Sequence, residues 1–355
     1  GVAVILCEEL LSLMCNWPNP DQNFLRGAVV VYLNKKPISP AVFLAPLAGI
    51  TDLPFRNLVS SFGAGLVVSA MLASQEMVQA KQGVREKAEL GFGSDHTAVQ
   101  LAGREAYWMS EAAKKAQDNG AQLIDINMGC PAKKVVNGYS GSALLKDLDH
   151  ALTLIDAVVA AVSVPVTLKT RLGWDDQIRN APDLARRAEG AGIAMITIHG
   201  RTRCQFYKGK ADWVAIADVS QAVDIPVIAN GDITNDQTAR TAMQSAQSAG
   251  VMIGRGAQGR PWLLSQVAAA LEGRAPTTPP VREALLDVVC GHYEAMLGFY
   301  GVDLGLRVAR KHLSWYMQAA GTAAAVRRAI LTSTSPSQVT GLLRRAFTPN
   351  LEVVA

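Results

Sequence analysis

Asn127, Cys130 and Pro131 follow directly on an apolar run, Leu123, Ile124 and Ile126, in the stretch LIDINMGCPAKK. An amide and a thiol so spaced stand where a buried strand ends and the chain turns out into a loop. Parallel α/β folds carry their chemistry at that edge. A thiol there can donate a proton, attack an electrophile or bind a metal. No neighbouring Cys or His completes a metal site, and no His-plus-acid pattern around Cys130 argues for a thiol protease. Gly129 and Pro131 hold it in a turn, a poor place for a thiol that only packs. A general acid that protonates a carbon centre is the most specific role; an inert buried thiol is the plain alternative.

Seven further apolar runs end in the same manner: VFLAPLAG from Val42, LVVSAM from Leu66, AVQLAG from Ala98, VPVTLKTR from Val164, MITIHGR from Met195, IPVIANGD from Ile225 and VMIGRG from Val251. They recur roughly every 25 to 40 residues with alanine-rich helical stretches between them, the rhythm of a (β/α)8 barrel. Gly120, Gly192 and Gly250 precede three of the runs and are expected to stop helices in the left-handed conformation. Pro165 and Pro226 stand just before strand interiors, where a missing N–H does least harm. A doubly wound sheet would carry GxGxxG after its first strand; here that strand ends APLAGITD. The expected fold class is α/β, a TIM barrel, followed by a C-terminal all-helical domain.

In a barrel all strand ends share one mouth. The candidate residues there are Pro46, Leu47, Ala48, Gln100, Asn127, Cys130, Lys169, Arg171, His199, Asn230, Gly231, Asp232, Gly254 and Arg255. The clusters NGD and IGRG follow the last two strands, where barrels commonly bind phosphate through glycine-rich backbone N–H groups. Lys169 and Arg171 share one strand face. A lysine pointing inward is unfavourable unless an anion meets it, and a reduced flavin, negative at its pyrimidine end, would serve. A lysine snorkelling to the rim is the alternative. His199 is either a satisfied core histidine or, beside Arg201, a ligand to substrate or cofactor. Gln100 either bonds inside the barrel or meets the edge of a flavin ring.

With 355 residues, 49% hydrophobic and 18% charged, the chain reads as a soluble globular protein with room for a barrel and a small second domain. Five scattered cysteines show no zinc spacing, and a reducing cytoplasm is expected. The net charge of +4 permits a polyanionic partner without demanding one. Residues 1–32 read as an N-terminal extension of no assigned role; its apolar stretch, Gly1 to Cys15, is too short for a membrane span and is interrupted by Glu8 and Glu9. Residues 33–272 form the expected barrel. Residues 273–355 form a Pro/Thr linker and amphipathic helices with the basic pairs Arg310 and Lys311, Arg327 and Arg328, Arg344 and Arg345. Solvated charge is the bland reading of such pairs; a nucleic-acid surface is the other.

The motifs APLAGITDLPFR, VQLAG, DINMGCPAKK, LKTRLGW, TIHGRTR, PVIANGDI and MIGRGAQGRPW, with RVARKHLSWY in the helical part, resemble the tRNA-dihydrouridine synthases, nearest the bacterial B-type branch. The resemblance runs in order from about Leu33 onward. It implies an FMN enzyme that reduces a tRNA uridine to 5,6-dihydrouridine with NADPH. Apart from the resemblance, a cytoplasmic monomer without membrane or metal is expected. The resemblance further implies that Pro46, Leu47 and Ala48 pass their backbone beneath the flavin, and that Gln100 and Lys169 hydrogen-bond its ring. By the same likeness His199 supports the cofactor, and Asn230, Gly231, Asp232, Gly254 and Arg255 hold its phosphate. Cys130 is then the acid, protonating carbon 5 opposite a hydride delivered to carbon 6, with Asn127 and Arg171 positioning the uracil. Two positions depart from the family pattern: Leu47 replaces a methionine, and Ser69, Ala70, Met71 replace SEM, removing a carboxylate from the mouth.

Two rival readings differ in class. A flavin barrel reducing a free pyrimidine would need no basic helical domain. A non-catalytic RNA-binding protein would bind tRNA without forming dihydrouridine.

Overall fold

The computed structural model describes residues 29–79 and 96–348. A hairpin of β1 (Val31–Leu33) and β2 (Lys36–Ile38) precedes eight parallel strands. These are β3 (Val42–Leu44), β4 (Leu66–Val68), β6 (Thr97–Ala102), β7 (Leu123–Met128), β8 (Val166–Arg171), β9 (Met195–His199), β10 (Val227–Asn230) and β11 (Gly250–Ile253), with a two-residue β5 (Leu72–Ala73) beside β6. β11 pairs with β3, and β4 pairs with both β3 and β6, so the sheet closes. The expected TIM barrel is what the chain forms, each of its eight runs supplying one strand.

Strand parity explains how the sequence builds two cores. Val42, Leu44, Ile124, Ile126, Ile196 and Ile198 point outward to the helix layer, because alternate residues of a strand face opposite sides. That layer comprises α1 (Leu53–Ser61), α2 (Ser74–Val78), α3 (Ala106–Asp118), α4 (Leu148–Ala161), α5 (Val214–Ser220), α6 (Asp236–Ala246) and α7 (Leu263–Leu271), with Ala181–Gly190 between α4 and α5. The intervening residues fill the lumen: Phe43, Leu66, Val68, Leu123, Met195 and Met252. Val31, Leu33 and Ile38 of the hairpin join that inner cluster and close the barrel floor. β1 therefore straddles position 32, where the N-terminal extension was expected to end; residues 1–28 lie outside the described part.

On β7, β8 and β9 the inward side chains become more polar toward the mouth. β7 runs Leu123, Asp125, Asn127; β8 runs Thr167, Lys169, Arg171; β9 runs Met195, Thr197, His199.

Of the three glycines expected to stop helices, Gly120 and Gly192 do so, with φ of +93° and +99°. Gly250 does not. It belongs to β11, and the left-handed residue after α6 is Gln247. A Cβ on Gly250 would lie 2.5 Å from the Ala41 carbonyl oxygen, so close strand approach is what excludes a side chain there. Gly250→Ala is expected to lower the unfolding free energy by about 2 kcal/mol through overpacking, read from urea denaturation; an unchanged midpoint would contradict this.

Beyond the barrel, α8 (Glu283–Tyr300), α9 (Val302–Ala319), α10 (Ala324–Thr332) and α11 (Pro336–Phe347) enclose a core of Tyr293, Met296, Leu313, Tyr316 and Leu343, which Trp262 extends from the barrel side. Three contacts tie this bundle to the segment after β3. Phe55 packs on His292 and His312 at ring separations of 5.6 and 5.2 Å. The Tyr300 hydroxyl donates to Asp52 Oδ2 at 2.9 Å, and Asp52 caps α1. The Lys311 amine donates to the Gly49 carbonyl. The Arg310–Lys311 pair is thus divided, Arg310 exposed and Lys311 turned to the barrel. Among the described residues no helix is long and apolar enough to cross a membrane.

Candidate active site

Cys130 is held half-buried at the mouth by the residues around it. Asn127 Oδ1 accepts the N–H groups of Gly129 at 3.2 Å and Cys130 at 3.0 Å, closing the turn after β7. The Cys130 carbonyl in turn accepts the N–H of Ser142 at 3.1 Å and its hydroxyl at 2.9 Å. Gly141 has φ +60°, and a Cβ there would stand 2.8 Å from the Cys130 carbonyl oxygen, so that glycine lets the following loop close under the thiol.

Behind the turn runs a buried chain of polar side chains. Asn127 Nδ2 donates to Gln100 Oε1 at 2.8 Å; Gln100 Nε2 donates to Asp125 Oδ2 at 2.7 Å; Thr167 Oγ1 donates to Asp125 Oδ1 at 2.6 Å. Burial raises the Asp125 pKa, opposed by the bonds from Thr167 and Gln100 and by the Lys169 charge. Asn127 was expected to position substrate. Its oxygen and one of its two N–H groups are engaged within the protein, leaving a single donor for a ligand.

Lys169 sits on β8 across from Asn127. Among the described residues its amine meets no hydrogen-bond acceptor or ion-pair partner. Burial pulls its pKa down to about 8, aided by the Arg171 charge and opposed by Asp125 and Cys130. The thiol and the amine are therefore within electrostatic reach of one another. Arg171, also expected at the substrate, spends its guanidinium on the loops: Nε donates to the Gly129 carbonyl, and Nη1 to the carbonyls of Thr202 and Phe206, at 2.8 to 3.0 Å. It ties the Cys130 turn to the loop after β9. Tyr207 of that loop lies between two guanidinium groups, 5.5 Å from Arg171 and 5.1 Å from Arg255.

His199 Nε2 lies 3.2 Å from Arg201 Nη1. A guanidinium only donates, so Nε2 accepts and the imidazole proton is on Nδ1. Burial, and then the charges of Lys169, Arg171, Arg201 and Arg255, hold its pKa well below the ordinary value. The ring is neutral, with an N–H available to a ligand.

Beyond β10 and β11 the backbone offers donors. Among the described residues the N–H groups of Gly231, Asp232 and Gly254 have no acceptor. Gly231 and Asp232 both have positive φ, +115° and +55°. Asn230 Nδ2 binds the Met252 carbonyl and so braces the two strands. The Asp232 carboxylate is committed to buried Arg201, at 2.6 Å, and to the Ala211 N–H. Burial alone would raise its pKa; those bonds and the charges of Arg201 and Arg255 outweigh it and hold the group below its usual range. Asp232 can therefore meet a phosphate only through its backbone, while half-exposed Arg255 brings a side-chain charge. Pro46, Leu47 and Ala48 lie on the loop after β3, where Leu47 N–H donates to Thr51 Oγ1.

This arrangement suits a ligand with a phosphate at the β10–β11 end and an electron-rich ring near Lys169 and His199. Among the described residues no cluster of three His, Cys, Asp or Glu side chains can hold a metal. Two members of the site escaped the sequence reading. Asp125 stood in the quoted motif, and an acid at the inward parity of an apolar strand was its signal. Tyr207 had none, since only the loop's fold places it between two arginines.

The family model described as dihydrouridine synthase matches residues 43–352. A probable tRNA-dihydrouridine synthase of Rhodobacter capsulatus is 58% identical over 321 residues, 90% of this chain and 98% of the relative. A tRNA-dihydrouridine synthase B of Xanthomonas campestris pv. campestris is 46% identical over 310 residues, covering 87% of this chain and 93% of the relative. Among solved structures, histamine dehydrogenase from Rhizobium sp. 4-9 superposes with a TM-score of 0.54 at 12% identity, over 78% of this chain and 51% of that one, a likeness of fold. The chain belongs to the dihydrouridine synthase family.

Proposed function

We propose that this protein is a tRNA-dihydrouridine synthase that binds FMN, is reduced by NADPH, and acts in the cytoplasm as a monomer. The observation that carries the reading is a half-buried thiol at the barrel mouth, on a turn closed by Asn127, with the strand partner of Asn127 an inward lysine that has no protein partner among the described residues. A flavin fits the groups present: Lys169 and the His199 Nδ1–H would face an electron-rich ring, while the N–H groups of Gly231, Asp232 and Gly254, with Arg255, would receive its phosphate. Gln100 and the backbone of Pro46 to Ala48 complete the cradle. When bound, the flavin supplies a hydride to carbon 6 of the uracil. Cys130 Sγ gives its proton to carbon 5, so that the double bond takes up one hydride and one proton. Asn127 fixes the turn that aims the thiol, and Arg171 holds the flanking loop against it.

A uracil stacked within RNA cannot enter such a mouth and must be extruded. The surroundings favour RNA. Lys133 and Lys134 are exposed at the start of a short helix after β7 (Lys133–Asn137), and Tyr139, Phe206, Lys208 and Lys210 are exposed on loops, mixing cations with aromatic rings as single-strand binding sites do. Arg307, Arg310, Arg328, Arg344 and Arg345 are exposed on the helical bundle. We assign residues 33–272 to catalysis and 273–355 to gripping tRNA.

The test has two readings: the visible spectrum of the purified protein, expected to show flavin, and a dihydrouridine map of tRNA from cells with and without the gene, expected to differ. A protein that stays colourless and cannot be reconstituted with FMN would end the flavin reading. Identical maps despite bound flavin would end the tRNA reading.

A further inference from the structure

Asp125 has no part in the chemistry above, yet the buried chain starts from it. A carboxylate only accepts hydrogen bonds. Its Oδ2 therefore draws the NH2 group of Gln100, at 2.7 Å, and leaves the Gln100 oxygen facing Asn127. That oxygen draws the NH2 group of Asn127, at 2.8 Å, and leaves the Asn127 oxygen facing the turn. There it receives the Gly129 and Cys130 N–H groups. Each amide has two faces, donor and acceptor, and reversing any one would set donor against donor at the next step. Thr167 fixes the other carboxylate oxygen at 2.6 Å, and Asp125 itself is buried. The polarity of the chain thus originates at one acid on the inward face of β7, three strands of the barrel contributing to it.

We propose that Asp125 is a positioning residue for Cys130, setting the orientation of Gln100 and Asn127 and through them the turn that aims the thiol. The inference rests on Cys130 being the proton donor of the proposed reaction. Its physical part, the hold on the thiol's turn, stands apart from any reaction.

Three variants and two readouts test it. Asp125→Ala removes the acceptor. Asp125→Asn can restore it, offering its oxygen to Gln100 and its NH2 to the Thr167 hydroxyl. Thr167→Val loosens one side of the carboxylate and covers the event that the alanine variant does not fold. The first readout needs neither flavin nor tRNA: the iodoacetamide alkylation rate of Cys130, resolved by peptide mass spectrometry against exposed Cys204 in the same sample. Asp125→Ala is expected to speed Cys130 alkylation several-fold, Thr167→Val less, and Asp125→Asn hardly at all. The second is the split between half-reactions. Reoxidation of reduced flavin by tRNA is expected to fall about 100-fold in Asp125→Ala, as misplacement of a reacting group by an ångström can do, with flavin reduction by NADPH falling far less. An equal loss in both half-reactions, or alkylation ratios unmoved in both Asp125→Ala and Thr167→Val, would overturn the proposal. Wild-type protein that forms no dihydrouridine would instead sink the functional reading, with the alkylation comparison still deciding the positioning role.

Discussion

Cys130→Ala should keep its flavin and its affinity for tRNA while uridine reduction slows by about a thousandfold, the span a positioned general acid commonly contributes. The thiol stands on a turn closed by Asn127 on one side and by Ser142 on the other, so removing Sγ takes away a proton donor without unmaking the loop. Arg171 and His199 are poor substitutes. Arg171 is bound to three backbone carbonyls, and a guanidinium gives up a proton reluctantly. His199 is neutral, its acceptor nitrogen occupied by Arg201. Single-turnover reoxidation of reduced flavin by tRNA, with dihydrouridine counted by mass spectrometry, measures the effect. Undiminished turnover would show that some other group delivers the proton.

Lys169→Met should have two effects of opposite sign. Flavin affinity should fall by about 50-fold, the value of a hydrogen bond involving a charged group, while the flavin-free protein becomes more stable. In the wild type the buried amine has a pKa near 8 against 10.5 for an ordinary lysine. Between those two values the unfolded chain holds a proton here that the folded chain has released, so flavin-free stability rises with pH across that window. Flavin binding follows the reverse course. The protonated amine is the form that meets an electron-rich ring, so affinity is fullest below pH 8 and declines as pH climbs through it. The methionine variant should show neither dependence on this residue. Flavin titrations and thermal melts at pH 7 and 9, on both proteins, carry the comparison; parallel pH profiles would mean that the amine does not face the cofactor.

The barrel was legible because its signal is local. Each apolar run, such as Val251 to Ile253 or Met195 to His199, announces a strand by composition, and the helix-length spacing fixes the parallel connection. Parity alone places Lys169 and Arg171 on one face. What the sequence withheld depends on partners far apart in the chain. Gln100 meets Asp125 across 25 residues, and Thr167 meets Asp125 across 42; neither residue announces the other. The same holds for the roles of Asn127 and Arg171. Their location at the mouth was foreseeable, whereas their commitment to the Cys130 turn and to the Thr202 and Phe206 carbonyls was not. Gly250 misled for a related reason: glycine before a strand reads as a helix terminator, and only the approach of Ala41 reveals a crowded sheet.

Tyr300 and Lys311 bring the helical bundle down onto Asp52 and Gly49, directly after the Pro46 to Ala48 backbone proposed to run under the flavin. The two halves of the molecule therefore meet at one short stretch of chain. On the proposed reading, RNA seated on α8 and α9 would lie two hydrogen bonds away from the cofactor's bed. A barrel cut free before α8 would lose that brace and, on the proposed reading, its grip on RNA.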